Sequence, residues 1–269
     1  MRVVWDATGE RRYEMGVDHG VLYPQDNTGA YTKGVPWNGL TNITESPEGA
    51  EPTDLWADNI KYGSLRSAET FGGTIEAYTY PEEFNQCDGN VSVAPGVYIG
   101  QQSRVPFGLA YRTMIGSDAG GDTDDSYKIH MVYGATASPS EKTRDTINDS
   151  PEASTFSWEF DTTPVNVPGH KATATLEVDS TKTDKAKLQQ LEKILYGEDP
   201  TLTATEPEDW DTNYANYYQL EEGKYVPVEG SSGSAPTWVA NTYYKGGSEP
   251  RLPLPSEVIQ LLGVGGVGA

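Results

Sequence analysis

Alternating apolar and polar residues mark several short segments of this chain. Period-two alternation is typical of strands that bury one face, and it recurs at 74–80, 107–115, 127–133, 154–160 and 172–178. Turn-rich stretches separate these segments, notably the acidic run 117–126 and the proline-rich run 163–168. The pattern therefore predicts a mainly β protein, built as an antiparallel β-sandwich or barrel.

The same alternation assigns a buried face to every strand except 74–80, where the pattern does not choose between the two faces. The predicted inward-facing side chains are Phe107, Leu109, Tyr111 and Ile115; Tyr127, Ile129, Met131 and Tyr133; Phe156, Trp158 and Phe160; and Ala172, Ala174, Leu176 and Val178. His130 alternates with Ile129 and Met131, so its side chain is expected on the outward face of the sheet.

One segment, 184–196, has the period of an amphipathic helix instead. Thr183 is the expected N-cap and Gly197 the expected terminator, and the helix should lie across the sheet. A shorter helical turn is expected at 81–86, where Pro81 suits the first helical position and acidic residues follow it. The leucines of the longer helix recur at i, i+3 and i+7 and are Leu188, Leu191 and Leu195.

Residues 198–249 differ in composition from the rest of the chain. They hold ten acidic residues and two lysines, so they are predicted to form an inserted β module within a main domain of 1–197 and 250–269. Tyr217–Val228 should form a hairpin that turns near Glu222 and Gly223. After the insertion, 252–262 is expected to be a short docked element and 263–269 a flexible tail. Within the module, a tryptophan followed by two tyrosines occurs twice, and these six aromatic residues are Trp210, Tyr217, Tyr218, Trp238, Tyr243 and Tyr244.

Charge and cysteine content narrow the possible functions. The chain has 40 acidic and 19 basic residues, a formal charge of −21, so a surface that grips nucleic-acid phosphates is not expected. Cys87 is the only cysteine, which excludes an internal disulfide and suits folding in the cytosol. No apolar run has the length of a signal-peptide core or a membrane span, so a soluble protein is expected.

Candidate chemistry is sparse, and no catalytic, cofactor-binding or metal-binding residue is assigned. His19, His130 and His170 lack the spacing of metal ligands. The acidic loop 118–125 lacks the spacing of a calcium loop, so a solvated loop is favoured over a calcium site. Cys87 has no adjacent histidine and is expected to be a small packed residue. The sequence offers no nucleophile motif and no phosphate-binding loop, which makes a hydrolase the least favoured hypothesis.

The module aromatics allow two interpretations. Flat rings stack on the apolar faces of sugars, so these residues are candidates for a carbohydrate-binding platform. Cross-strand aromatic pairs also form the cores of small sheets, and this interpretation is favoured. The alternative function of the chain is accordingly that of a carbohydrate-binding or host-surface adhesion module.

The wording of six blocks carries more information than the periodicity. The blocks are, in chain order, GVDHGVLYP (16–24), GAYTKGVPWNGLTNITESPEGAEPTDLWADNIKY (29–62), FGGTIEAYTYPEEFNQCDG (71–89), IGQQSRVPFGLAYRT (99–113), KIHMVYGATASPSEKTRDTINDSPEASTFSWEF (128–160) and LPLPSEVIQLL (252–262). In this order they closely resemble the major tail proteins, or tail tube proteins, of long-tailed, non-contractile bacteriophages.

The resemblance implies a β-sandwich or half-barrel with a flanking helix, and a structural role rather than an enzymatic one. Six copies would form a ring, and stacked rings would form the tail tube of the virion, assembled in the cytoplasm of the host bacterium. The partners implied are other copies of this chain, the tape measure protein, the tail terminator and the distal tail or baseplate proteins. Genomic DNA would pass through without tight binding, and no membrane is involved.

Within this picture, two sets of residues are assigned roles in assembly. The proline-rich, acidic stretch 45–59 is predicted to be the loop that reaches the next ring, because it is too long for a simple hairpin turn; the alternative is a loop folded on its own sheet. Glu76 and Glu159 are predicted to face the lumen, where negative charge would repel DNA phosphates. The stacking-loop residues are Glu45, Pro47, Glu48, Glu51, Pro52, Asp54, Leu55 and Trp56.

Overall fold

The computed structural model describes residues 5, 8–49, 51–118, 126–144, 146, 153–207, 210–230 and 234–263. This part of the chain is mainly β, and all of its strand pairs are antiparallel. The strands are β1 (Arg12–Pro24), β2 (Val35–Pro36), β3 (Leu40–Gly49), β4 (Pro52–Ala57), β5 (Ile60–Arg66), β6 (Glu69–Ala77), β7 (Val91–Ala94), β8 (Val97–Ile99), β9 (Phe107–Ser117), β10 (Tyr127–Ala137), β11 (Phe156–Thr162), β12 (Thr175–Asp179), β13 (Thr201–Leu202), β14 (Tyr217–Glu221), β15 (Lys224–Pro227) and β16 (Tyr243–Lys245). The helices are α1 (Phe84–Cys87), α2 (Lys185–Tyr196), α3 (Trp210–Asn213) and α4 (Pro255–Leu262).

The main sheet has eight strands in the order β2-β1-β9-β10-β11-β6-β3, with β12 paired to β10 outside this path. Strand β10 changes partner along its length: Lys128–Val132 pairs with β12, whereas Ala135–Ala137 pairs with β11. Gly134 lies between these two parts with a φ of +62°. A Cβ atom at this position would lie 2.3 Å from the carbonyl oxygen of Thr163, so only glycine fits where the strand turns from one half of the sheet to the other.

The first core lies between the two halves of this sheet. It brings Leu22 and Leu109 from one half together with Ile75 and Trp158 from the other. Helix α1 closes one end, where the rings of Phe84 and Trp158 lie 5.1 Å apart between centroids in an edge-on arrangement. The helical turn predicted at 81–86 thus exists, but its α-helical part begins only at Phe84.

The second core lies between the sheet and the two longer helices. The three leucines of α2 and Val258 of α4 pack on Ile129, Met131 and Tyr133 of β10, which confirms the predicted amphipathic helix and the docked element at 252–262. The N-cap prediction was one residue early. Asp184 caps α2, because its Oδ1 accepts hydrogen bonds from the amide groups of Ala186 and Lys187, both at 3.1 Å.

Strand β9 lies between the two cores, so its alternation does not separate a buried face from an exposed one. Three of the side chains predicted to face inward lie in the first core, namely Phe107, Leu109 and Tyr111, and the fourth, Ile115, is buried outside it. Ala110 on the opposite face is also fully buried, in the second core. The alternation here is one of side-chain size, because a central strand covered by helices buries both faces. The predicted faces of β10 and β11 are confirmed, whereas β12 begins at Thr175 instead of residue 172.

Residues 198–249 form a separate four-stranded sheet in the order β13-β16-β14-β15, with a buried cluster of its own. Its two ends meet at the main domain, where the backbones of Glu198 and Ser248 exchange hydrogen bonds of 3.0 and 2.9 Å. The hairpin β14–β15 turns through Glu222 and Gly223, at φ angles of 48° and 81°, and so confirms the predicted turn. Most of the predicted flexible tail, 264–269, lies outside the described residues.

Candidate assembly surfaces

The β4–β5 hairpin, residues 52–66, stands apart from the rest of the fold and is called the arm below. None of its residues belongs to a buried cluster of the described chain. Its large apolar side chains are instead between 41% and 75% exposed. Such exposure over a single short hairpin is characteristic of surfaces that bind another molecule. The exposed apolar residues of the arm are Leu55, Trp56, Ile60, Tyr62 and Leu65.

Local sequence explains why the arm folds without a core. Asp58 and Asn59 form its turn with φ angles of 51° and 64°, values that aspartate and asparagine tolerate better than most residues and that match the twist of a two-residue hairpin turn. An ion pair between Lys61 and Asp54, with 2.7 Å between Nζ and Oδ1, links the two strands. The register shifts by one residue between Leu55 and Trp56, which bends the hairpin locally.

The segment 45–59, predicted to be a loop, contains parts of two strands, β3 and β4. Glu45, Pro47 and Glu48 belong to strand β3, which pairs with β6 along its whole length. Pro52, Asp54, Leu55 and Trp56 belong to β4, and Glu51 lies between the two strands. The stretch was too long for one turn because it contains parts of two strands. All eight predicted residues are exposed, so the structure places them on a surface of the chain.

A second hairpin, β7–β8, is not among the predicted elements. Its strands flank Pro95 and Gly96, where Gly96 has a φ of +75°. The signal was present, since alternating valines around a Pro-Gly pair are typical of a hairpin. Its apolar side chains are 41% to 57% exposed, and they are Val91, Val93, Val97, Tyr98 and Ile99.

The two predicted lumen residues lie on the same face of the main sheet. Glu76 pairs directly with Ser157, and Glu159 pairs with Thr74, so both carboxylates project away from the core that buries Ile75 and Trp158. Glu48 and Asp161 lie on this face too, by the same register. The three described strands β3, β6 and β11 contain no lysine, arginine or histidine. This face is therefore polar and negatively charged.

His130 lies opposite Ile129 and Met131 as predicted, but it is not an exposed residue. Its side chain is only 12% exposed, because its ring stacks on Tyr111 at 4.8 Å between centroids and within 6° of parallel. The hydroxyl of Tyr111 donates a 2.5 Å hydrogen bond to Glu45 at the far edge of the sheet. Burial lowers the pKa of His130, against the opposing effect of the carboxylates of Glu45 and Glu177.

Other candidate residues have ordinary surroundings. Cys87 is fully buried in the first core, and burial raises the pKa of its thiol to about 12, so it packs as a neutral side chain. His19 lies 2.9 Å from Asp18 on the surface, and His170 is exposed. Among the described residues, no group of three or more His, Cys, Asp or Glu is arranged to hold a metal ion. Most of the acidic loop 118–125 lies outside the described residues.

The module aromatics separate into two groups. Trp210, Tyr217 and Tyr243 are buried and pack together, with Trp238 against them, and the centroids of Trp210 and Tyr243 lie 4.5 Å apart. These four form the core of the small sheet, in agreement with the favoured interpretation. Tyr218 and Tyr244 lie on the opposite face and are only half-buried. The platform of six aromatic residues therefore does not exist as one surface.

No protein-family model matches this chain, and no curated protein matches its sequence. Within the described part of the chain, no helix has both the length and the apolar character needed to cross a bilayer.

Proposed function

We propose that this chain is a tail tube protein of a long-tailed, non-contractile bacteriophage. Six copies form a ring, rings stack into a tube, and the genome passes through the tube during delivery to the host. The observation that carries the proposal is the arm, which exposes five large apolar side chains on a hairpin outside all buried clusters. Apolar surface of this kind is stabilised when it is buried against a second copy.

In this proposal the arm replaces the loop as the element that reaches the next ring. Trp56 and Tyr62 are 68% and 75% exposed, and aromatic residues of this kind supply most of the binding energy at protein interfaces. The β7–β8 hairpin offers a second apolar contact of similar character. Two exposed apolar hairpins on one chain favour an assembly in which each copy contacts one neighbour and is itself contacted by another.

Open sheet edges support the joining of copies within a ring. Among the described strands, β3 pairs only with β6, and β12 pairs only with β10. The ten-residue edge of β3 therefore leaves backbone groups available to a strand of a neighbouring copy. Such pairing would extend the curled main sheet, a β-sandwich or half-barrel with α2 as the flanking helix, into a closed ring.

The acidic face of β3, β6 and β11 is the proposed lining of the lumen. Glu76 and Glu159 would face the DNA there, together with Glu48 and Asp161. A conduit of this sign repels phosphates, so the DNA slides without being held. The tape measure protein, the tail terminator and the distal tail or baseplate proteins complete the proposed set of partners in the virion tail, which would assemble in the host cytoplasm.

Electron microscopy of arm variants tests the proposal. Concentrated wild-type protein should form tubes in negative stain, whereas the triple variant Leu55→Ser, Trp56→Ser and Leu65→Ser should form no tubes and stay as single rings or monomers. None of these side chains is buried, so the variant should unfold at the same urea concentration as the wild type. The size of each species in solution can be followed by sedimentation velocity.

A matched control separates apolar contacts from charge. The variant Asp54→Asn, Lys61→Gln and Ser64→Thr changes the same hairpin and removes its ion pair, but keeps every apolar side chain. We expect this control to form tubes. Normal tubes from the serine variant, or the absence of any ordered assembly by wild-type protein, would contradict the proposal.

A further inference from the structure

The outer face of the 198–249 sheet carries tyrosine rings that no other element of the described chain covers. The register aligns four residues straight across its strands, from Leu202 through Tyr244 and Tyr218 to Pro227. Leu220 and Tyr225 form the neighbouring pair on the same face. Leu202 and Leu220 are 44% and 48% exposed, whereas the three tyrosines are half-buried. The rings of Tyr225 and Tyr244 stand at 68° to each other, so the row is a ridged surface and not a flat one.

This face is not needed to close the module. The opposite face already packs Tyr217 and Tyr243 on Trp210 and forms the buried cluster. A second row of aromatic residues on a small sheet adds no further core, and exposed aromatic patches mark binding sites. Tyr225, which is not among the six aromatic residues predicted as a platform, belongs to this outer row.

The chemistry of the row is amphipathic. In the described part of the chain, the phenol groups of Tyr218, Tyr225 and Tyr244 have no hydrogen-bond partner, while the rings of Tyr225 and Tyr244 pack 5.0 Å apart between centroids. Each ring thus offers an apolar surface and a free hydroxyl at its edge. Desolvation and, after it, the carboxylate of Asp199 raise the pKa of Tyr225, so this phenol stays protonated.

The size of the face argues against a protein partner. Four strands spaced by about 4.8 Å, the longest of five residues at about 3.3 Å each, give a patch of roughly 15 by 17 Å. This is about a third of the ~800 Å² that each partner contributes to a stable protein interface. A short chain of sugar rings fits such a patch.

The negative charge of the module further restricts the classes of ligand that this face can bind. The module holds ten acidic residues against Lys224 and Lys245, so a ligand with phosphate or carboxylate groups would be repelled. We propose that the face formed by Tyr218, Tyr225 and Tyr244 binds an uncharged oligosaccharide, with sugar rings stacked on the tyrosines and sugar hydroxyls bonded to their phenol groups. This site is independent of the arm, and so of tube formation.

An array of immobilised glycans, probed with the full-length protein, tests this site. We expect binding to a subset of uncharged oligosaccharides and none to sialylated ones. The double variant Tyr218→Ala and Tyr244→Ala should weaken binding by about tenfold or more, since each stacked ring contributes on the order of 1 kcal/mol. The double variant Tyr218→Phe and Tyr244→Phe keeps the rings and should lose less.

Two controls keep the outcome decisive. Amide hydrogen exchange of β14 and β16 reports whether each variant retains the module core, and the phenylalanine variant provides the test if the alanine variant does not. The arm variant Trp56→Ser should bind the same glycans as the wild type. Absence of binding to every uncharged glycan, binding restricted to sialylated glycans, or equal binding by a folded alanine variant would each overturn the proposal.

Discussion

Two hairpins of this molecule are built alike and end in different surroundings. The arm turns through Asp58 and Asn59, and β14–β15 turns through Glu222 and Gly223; all four residues have positive φ angles. The arm leaves its apolar residues in solvent, whereas the β14 strand buries Tyr217 completely. The turn residues are sufficient for either hairpin to form. Only in the module does another side chain, Trp210, cover one face of the hairpin. An apolar hairpin that its own chain leaves uncovered, such as the arm, is therefore where we expect another molecule to bind.

The largest expected difference is in stability. Trp210→Ala removes a ring that contacts Tyr217, Trp238 and Tyr243, and should cost the module about 3–5 kcal/mol. Trp56→Ala removes an exposed ring and should change the free energy of unfolding by less than about 0.5 kcal/mol. Urea unfolding of both variants measures this. Similar costs would mean that the arm is covered by its own chain after all.

Turn substitutions should give a smaller difference. At Gly223, with a φ of 81° and no atom within 4 Å of an added Cβ, alanine is opposed only by the backbone and should destabilise the hairpin by about 1–2 kcal/mol. Asn59→Gly in the arm relieves a mild strain at a φ of 64° and should be neutral or slightly stabilising. Amide hydrogen exchange of each hairpin reports the change, and slower exchange of β14–β15 in Gly223→Ala would refute it.

The smallest expected effect is a dependence on pH restricted to the main domain. Because burial lowers the pKa of His130 below its usual 6.5, the unfolded chain takes up the proton first as the pH falls. Stability conferred by the neutral ring should therefore be lost progressively as the pH drops from about 6.5 toward the lowered pKa.

The module provides the internal reference for this effect, since 198–249 contains no histidine. Hydrogen exchange between pH 5 and pH 7.5, corrected for the intrinsic rates, should show loss of protection in β10 but not in β14. The variant His130→Gln should remove the pH dependence of β10. An unchanged dependence in that variant would assign the effect to other groups.

Periodicity was sufficient for elements whose environment repeats along the sequence. The leucines of α2 and the aromatic residues of β11 face apolar neighbours at every repeat, so their spacing predicted their burial. Positions decided by distant chain segments were not predictable in this way. His130 is covered by Tyr111 and by Glu45, 85 positions earlier in the chain, and nothing in its local alternation indicates either contact.

For the candidate assembly residues too, some properties could be predicted from the local sequence and others depend on distant parts of the chain. Exposure of the eight residues assigned to the stacking loop agrees with a surface role, but their strand structure depends on pairing partners in β5 and β6 that a proline-rich, acidic composition does not reveal. Glu76 and Glu159 share a face because of strand register. Their position in a lumen depends on neighbouring copies and stays a prediction.

The exposed arm also has a consequence for how the protein is kept as separate chains. Each copy carries a formal charge of −21, so the arms approach other copies against a repulsion that extends over about 30 Å in 0.01 M salt but only about 8 Å at physiological ionic strength. In the proposed assembly, burial of Trp56 and its neighbours against another copy would outweigh the repulsion below that distance. We therefore expect the chains to remain separate at low ionic strength and to associate when salt is added.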